Sequence, residues 1–370
     1  MIAEAMELTQ LARHEVRTLP MYTPDVTACR VDVSDNVNLW GVPPAALRAL
    51  SSAQAASALS RYPSLYSAPL RDAVLRYAGL ASASEVGVVT GCGSDDVLDA
   101  AMRAFGEAGD EIVYAAPNFA MIPIFGRLNG LVPVAIPLTE GFGVDPQRLV
   151  DRRAKITYLC TPNNPTSAAI ARDAVEYVAA NAVGLVIVDE AYAEFAPERF
   201  ISLVETHERL LVTRTFSKAF GLAGLRVGYG VGSRMVVDLV TRARGPYRVN
   251  ALAESAALAA LGDGSDALGW VSRHVALAIQ NRERMSAELR ALGLEPAPAA
   301  ANFLFVPTAR AQSLAFAMRD RGVLVRAFSG LSRDLTVLDA SEGCALRIGV
   351  GPWHVMEQVL QTLREALACA

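Results

Sequence analysis

Cysteine and histidine are both scarce in this chain of 370 residues. Cys29, Cys92, Cys160, Cys344 and Cys369 are scattered, odd in number and without a C-x-x-C pair. Such a set suggests reduced thiols rather than a disulfide framework or a zinc site. His14, His207, His274 and His354 stand in unrelated places without metal-ligand spacing, so they read as solvated or structural and no metal is expected. No apolar run approaches the ~20 residues of a membrane span. Glu4, Glu7, Arg13, Glu15 and Arg17 break up the N-terminus, which argues against a signal peptide. Basic residues are not in surplus: 34 Lys and Arg face 38 Asp and Glu, a net charge of −4, and no basic stripe marks a nucleic-acid surface. The expectation is a soluble cytoplasmic protein that binds neither nucleic acid nor membrane.

Apolar residues, by contrast, make up 52% of the chain, enough for a sizeable core. The length fits about two domains of ~150 residues. Residues 1–20 read as an amphipathic helix with Met6, Leu8, Leu11 and Val16 on its apolar stripe, ended by Pro20 and Pro24. Helices follow over 45–58 and 69–78. From residue 86, short β-branched runs (86–90, 111–115, 131–136, 156–160, 185–188, 210–215 and 225–231) alternate with helical stretches such as 95–105, 119–129 and 172–182. This alternation predicts an α/β fold: a mostly parallel sheet sandwiched by helices, with ligands at the carboxyl ends of the strands. Beyond Gly245-Pro246 a helical region over 251–292, broken at 262–264, leads to strands at 302–306, 323–326 and 345–350. Helices are expected at 311–319 and 354–367, and 331–343 has no period and reads as a loop. The expected division is an N-terminal helix and arm (1–45), a large α/β domain (46–248) and a smaller α+β domain (249–370).

The chemistry gathers at the expected strand ends. Lys218, in Ser217-Lys218-Ala219-Phe220-Gly221-Leu222-Ala223-Gly224-Leu225-Arg226, follows the run 210–215. A lysine amine can condense with a carbonyl and an arginine fork fits a phosphate, so the stretch suits a phosphorylated carbonyl compound. Alone, a lysine in such a loop is more often solvated. Gly91-Cys92-Gly93-Ser94-Asp95-Asp96 joins a strand to a helix and is neither G-x-G-x-x-G nor a P-loop, so it gives only a weak signal for a dinucleotide or ATP. It is an anion site at a helix N-terminus or a plain capped turn. Asp189 closes the very apolar Leu185-Val186-Ile187-Val188, and a carboxylate there needs a partner. Arg347 is a lone arginine in Leu346-Arg347-Ile348-Gly349-Val350. A bidentate clamp on a carboxylate, or a structural salt bridge, would justify burying it. Asn163-Asn164-Pro165-Thr166 is by itself a turn signal.

In wording and order these motifs resemble the fold-type I pyridoxal-phosphate (PLP) aminotransferases of class I/II. SKAFGLAGLRVGY, residues 217–229, is similar to the cofactor-lysine segment of their histidinol-phosphate aminotransferase branch. The resemblance implies the fold-type I large domain, PLP as cofactor, and Lys218, Asp189 and Tyr192 as catalytic residues. It casts Lys218 as the covalent anchor and proton carrier, Asp189 as partner of the pyridine nitrogen, and Asn164 and Tyr192 as donors to the phenolic oxygen. Phe119 would stack on the ring, and Gly93, Ser94, Asp95, Thr215, Ser217 and Arg226 would form the phosphate cup. Tyr62 matches a residue that reaches the phosphate of the neighbouring subunit, which implies a homodimer with shared active sites. Arg347 would clamp the substrate carboxylate, and Tyr22, Asn38 and Arg326 match positions near the substrate end.

Four positions depart from the family's usual wording. In Asn36-Val37-Asn38-Leu39-Trp40-Gly41, Val37 stands for an acid and Leu39 for a proline; Phe119 stands for a frequent tyrosine and Ser167 for glycine. The expected activity is PLP-dependent transamination of an amino substrate and a 2-oxo acid with ping-pong kinetics. Histidinol phosphate and 2-oxoglutarate, in histidine biosynthesis, are the first substrate expectation. The departures keep open an aminotransferase for another amino acid, aromatic or of a specialised pathway. A PLP-dependent decarboxylase of a phosphorylated amino acid and a non-catalytic binding protein on the same scaffold are the remaining alternatives.

Overall fold

The computed structural model describes residues 8–19, 21, 23, 25, 27–81, 83–262 and 267–369. Its strands are β1 (Val31–Asp32), β2 (Val86–Gly91), β3 (Glu111–Ala116), β4 (Val132–Pro137), β5 (Ile156–Cys160), β6 (Leu185–Asp189), β7 (Leu210–Thr215), β8 (Gly228–Ser233), β9 (Phe303–Pro307), β10 (Val323–Leu324), β11 (Arg326–Phe328) and β12 (Ala345–Gly349). A seven-stranded sheet runs in the order β2-β8-β7-β6-β5-β3-β4. Neighbours pair in parallel except β8, which is antiparallel to both β2 and β7. The mostly parallel, helix-covered sheet expected from the alternating runs is the one these strands form.

Every residue of β2, β5, β6 and β7 is buried. Strand alternation then divides them: Val186, Val188 and Val212 enter the core on one face, Leu185, Ile187 and Leu211 the core on the other. Edge strand β4 carries Pro133 and Pro137, which an edge tolerates because one side needs no donors. In β8 a Cβ on Gly228 would come within 2.3 Å of the Ser94 amide nitrogen. Glycine there lets the helix Ser94–Phe105 close on the sheet.

A second sheet, β11-β12-β9, is antiparallel. Leu304, Val306, Leu346 and Ile348 pack with Met356, Val359 and Leu363 of the helix Trp353–Cys369. The two-residue strand β1 pairs in parallel with β10 and ties the N-terminal segment to this part. Among the described residues no helix is long and apolar enough to cross a membrane.

Several boundaries differ from the sequence expectation. Residues 8–19 hold a 3₁₀ turn (Leu8–Leu11) and a five-residue helix (His14–Thr18) instead of one long helix. Leu11 and Val16 are exposed, so they form no buried stripe. The helix expected over 45–58 is two, Pro44–Leu50 and Ala53–Ala58, where the Ser51 hydroxyl turns back onto the Leu47 carbonyl. The strand expected from 225 starts only at Gly228, because Ala223–Leu225 is a 3₁₀ turn and Arg226 has φ 51°. The run 323–326 divides between β10 and β11, which belong to different sheets. Within 331–343 a helix, Thr336–Ala340, forms where Leu335 and Leu338 pack with Phe305 and Ala345. Two apolar points are too few to register as a period.

Candidate active site

The ends of β5, β6 and β7 and the start of the helix Ser94–Phe105 open on one cavity of about 280 Å³. This is the carboxyl edge of the sheet, where loops are free to carry polar groups. Lys218 lies three residues past β7 and lines the cavity. Its Nζ donates to the Asp35 carbonyl at 3.3 Å and stands 5.6 Å from the Tyr192 ring centre. Burial, followed by the positive charge of Arg347, pulls the amine down to about 8.

An anion cup is built beside it. Thr215 Oγ1 donates to Ser217 Oγ at 2.9 Å and accepts the Ser217 N–H at 3.1 Å. Arg226 Nη1 reaches Ser217 Oγ at 3.4 Å, and its Nη2 reaches Asp95 Oδ2 at 3.2 Å. Gly93 has φ +78°, and a Cβ on it would lie 2.7 Å from Arg226 Nη2, so only glycine closes the cup this tightly. Ser94 begins the helix and lines the cavity, adding N–H groups that have no partner within the helix to the hydroxyls and guanidinium. Asp95 brings a carboxylate to the same place; burial outweighs Arg226 and Lys218 and pushes its carboxyl up.

Asp189 ends β6 with 3% of its surface exposed. Its Oδ2 accepts the Tyr158 hydroxyl at 2.8 Å and its Oδ1 the Ala191 N–H at 3.1 Å. Burial raises the carboxyl to about 6, against the lowering effect of the Tyr158 bond. Tyr192 OH accepts Asn36 Nδ2 at 3.3 Å, and burial pushes the phenol up to about 12. Asn164 accepts Arg347 Nη1 on its Oδ1 at 2.6 Å, which leaves Nδ2 as its donor end. Arg347 also donates from Nη2 to the Ser34 carbonyl at 2.6 Å and lies 5.5 Å and 5.7 Å from the rings of Phe303 and Phe328. Phe119 lines the cavity wall.

Other expected residues lie elsewhere. Arg326 stands opposite Arg347 in the β11–β12 register but lines a second cavity with Phe316 and Arg319. Asn38 does not line the first cavity; its Nδ2 donates to the Ala219 carbonyl at 2.9 Å and holds the segment 36–41 against the lysine loop. Tyr62 is 83% exposed and stacks on Tyr247 at 5.0 Å between ring centres. Tyr22 lies outside the described residues. Of the four departures, Val37 and Phe119 line the cavity. Leu39 packs into the second core against Gly351. Ser167 is buried at φ 65°, with its Oγ donating to the Phe303 carbonyl at 2.9 Å and accepting the Ala301 N–H at 3.0 Å.

Sequence reading did not single out Tyr158, Asn36, Asp35 or Cys160 as site residues. Asp35 and Cys160 line the cavity, and Tyr158 and Asn36 bond the two side chains expected to matter most. The link to Tyr158 became readable only with the sheet register: it lies two residues before Cys160 on β5, hence on the same face, and Cys160 pairs with Asp189. Beneath the site Glu190 Oε2 accepts Arg214 Nε at 2.8 Å and Nη2 at 2.7 Å, a buried ion pair.

Comparison with known proteins agrees with this geometry. A profile of the family described as aminotransferase class I and II matches residues 30–363. The chain is 37% identical over 382 residues to histidinol-phosphate aminotransferase of Roseiflexus castenholzii, covering 97% of this chain and 98% of that one. It is 32% identical over 350 residues to the aromatic amino acid aminotransferase of Mycobacterium tuberculosis, covering 91% and 97%. Its fold matches histidinol-phosphate aminotransferase from Sinorhizobium meliloti, solved in complex with pyridoxal 5'-phosphate. The TM-score is 0.84, at 24% identity over 97% and 98% of the two chains.

Proposed function

The chain belongs to the class I and II aminotransferases, and on that premise we propose that it moves an amino group between histidinol phosphate and 2-oxoglutarate with PLP as cofactor. The observation that carries the reading is that Lys218, Asp189 and the Ser94–Arg226 cup share one cavity. The donor set fits the group: an anion cup for a phosphate, an aromatic face for a ring, a buried carboxylate for a protonated ring nitrogen, and an amine for an aldehyde. PLP bound there would supply an electron sink for negative charge at the substrate α-carbon.

The chain's own residues would divide the remaining work. Gly93, Ser94, Asp95, Thr215, Ser217 and Arg226 would hold the phosphate end, and Asp189 would keep the ring nitrogen charged. Asn164 Nδ2 and the Tyr192 hydroxyl would donate to the phenolic oxygen. Lys218, with its amine pulled to about 8, carries a large neutral fraction at mildly basic pH. Neutral, it would serve as nucleophile and then as the base that moves the substrate Cα proton, a role that contributes ~10²–10⁴-fold. Arg347, set by Ser34 and Asn164, would take the carboxylate of glutamate or the phosphate of histidinol phosphate. Tyr62 and Tyr247, an exposed aromatic pair, support a homodimer in which Tyr62 reaches the partner's cup.

An absorbance titration tests the substrate. Histidinol phosphate added to the PLP-loaded protein should convert the cofactor band to that of pyridoxamine phosphate, and 2-oxoglutarate should restore it. No conversion by histidinol phosphate overturns the reading. A second reading, an aromatic amino donor, is favoured by Val37 and Phe119 on the cavity wall and by the mycobacterial relative. Conversion by phenylalanine or tyrosine alone would select it.

A further inference from the structure

Asp189 is meant to meet a ring nitrogen, yet its two oxygens are already held by this chain. Oδ1 takes the Ala191 backbone N–H, and Oδ2 takes the Tyr158 hydroxyl at 2.8 Å. Tyr158 has no exposed surface and sits in the middle of β5, with Tyr114 beside it on β3 and Ile187 beside it on β6. A buried phenol must donate somewhere, and this one spends its proton on the carboxylate. Core packing alone would be met as well by phenylalanine; the hydroxyl is the part that needs a reason.

The titratable groups that face Asp189 are few. Tyr158 and Cys160 come from β5, Tyr192 from the turn after β6, and Asp95 from the helix Ser94–Phe105. Lys218 lines the same cavity, and Thr213 lies opposite on β7 with an uncharged hydroxyl. Burial and the Asp95 charge both favour a proton on Asp189, and the Tyr158 bond is the largest effect against it. We propose that Tyr158 is a positioning residue for this site: its hydroxyl fixes the Asp189 carboxylate in place and keeps it an anion. The proposal deepens the PLP reading and rests on it only for the purpose of that anion, because the bond itself lies within the protein.

The test starts on the apoprotein. In Tyr158→Phe the pH at which Asp189 takes up a proton, read from the carboxyl infrared band or from ¹³C-labelled aspartate, should rise by about one to two units, the size of a hydrogen bond to a charged group. A fluorinated tyrosine placed at 158 keeps the shape, donates more strongly and should move it the other way. PLP affinity at pH 6 should fall about tenfold in Tyr158→Phe, because the raised carboxyl is then mostly protonated, and by no more than about twofold at pH 8. It should change no further when the same substitution is made in an Asp189→Asn background. An unmoved protonation pH in both the phenylalanine and fluorotyrosine variants overturns the proposal. So does an equal affinity loss in the Asp189→Asn background, which would mark Tyr158 as packing only. Failure to bind PLP at all would sink the functional reading and leave the Asp189 titration as the deciding measurement.

Discussion

Arg347 Nη1 donates to Asn164 Oδ1 at 2.6 Å, and this bond joins β12 of the three-stranded sheet to the loop that follows β5 of the seven-stranded one. A residue expected to grip substrate thus also sets the amide expected to face the cofactor. Arg347→Lys keeps the charge but loses the planar fork, so it cannot hold Ser34, Asn164 and a carboxylate together. kcat/KM for glutamate should fall by roughly 10²-fold, mostly through KM. PLP affinity should move far less. Steady-state kinetics with a parallel cofactor titration check this; equal losses in both would refute the division of roles.

Lys218 should react as its neutral amine. The folded protein pulls it to about 8, so the reactive fraction grows as pH rises through that value and then levels off. Stopped-flow absorbance of PLP uptake by the apoprotein between pH 6 and 10 should follow that curve, on the order of tenfold per unit at the low end. Arg347→Met removes a positive charge that lowers the amine, so the midpoint should move upward. A flat profile, or a midpoint moving down, contradicts the electrostatics.

Asp189 works against the fold it belongs to. Its carboxyl is raised from 3.8 to about 6, so the folded state binds the proton more tightly than the unfolded chain. The stabilising effect of that proton is complete below 3.8 and lost as pH rises through 6. At pH 8 the buried anion therefore costs the apoprotein up to about 3 kcal/mol. Apo Asp189→Asn should be more stable than the parent to urea at pH 8, and the gain should shrink at pH 5. A variant less stable at pH 8 would show that the carboxylate is better solvated than its burial indicates.

Glu190 and Arg214 are buried, with side chains 0% and 3% exposed. Glu190→Gln keeps an acceptor for the Phe200 N–H and takes from the guanidinium the carboxylate it bonds, leaving Glu194 as a weaker electrostatic neighbour. Breaking such a pair costs about 3–5 kcal/mol. The melting temperature should fall while KM of the folded enzyme holds, because neither residue lines the cavity. A changed KM with unchanged melting would move Glu190 into the site itself.

The apolar runs made the large sheet legible, since strands buried on both faces leave continuous hydrophobic stretches. The candidate site residues at the ends of those strands were legible for the same reason: Asp189 and Lys218 interrupt an apolar text at places where a loop must begin. Tyr158 was hidden because a tyrosine inside an apolar strand reads as core until its neighbour across the sheet is known. Ser167 looked like a change near the substrate, whereas its backbone sits at φ 65° and its hydroxyl ties the loop to β9 through the Phe303 carbonyl. Arg326 shares a face with Arg347, its partner in the β11–β12 register, yet lines the second cavity, and Asn38 turns to the Ala219 carbonyl.

By itself the sequence determined which groups are present and at which strand ends they emerge, because burial and turn chemistry are local properties of the chain. Only the tertiary structure decided who bonds to whom. Tyr158 meets Asp189 across 31 residues, Asn164 meets Arg347 across 183 and Ser34 meets Arg347 across 313. Hydrogen bonds act over about 3 Å, so such partners are chosen by sheet register and by how two sheets close on each other, and neither is written in any one segment.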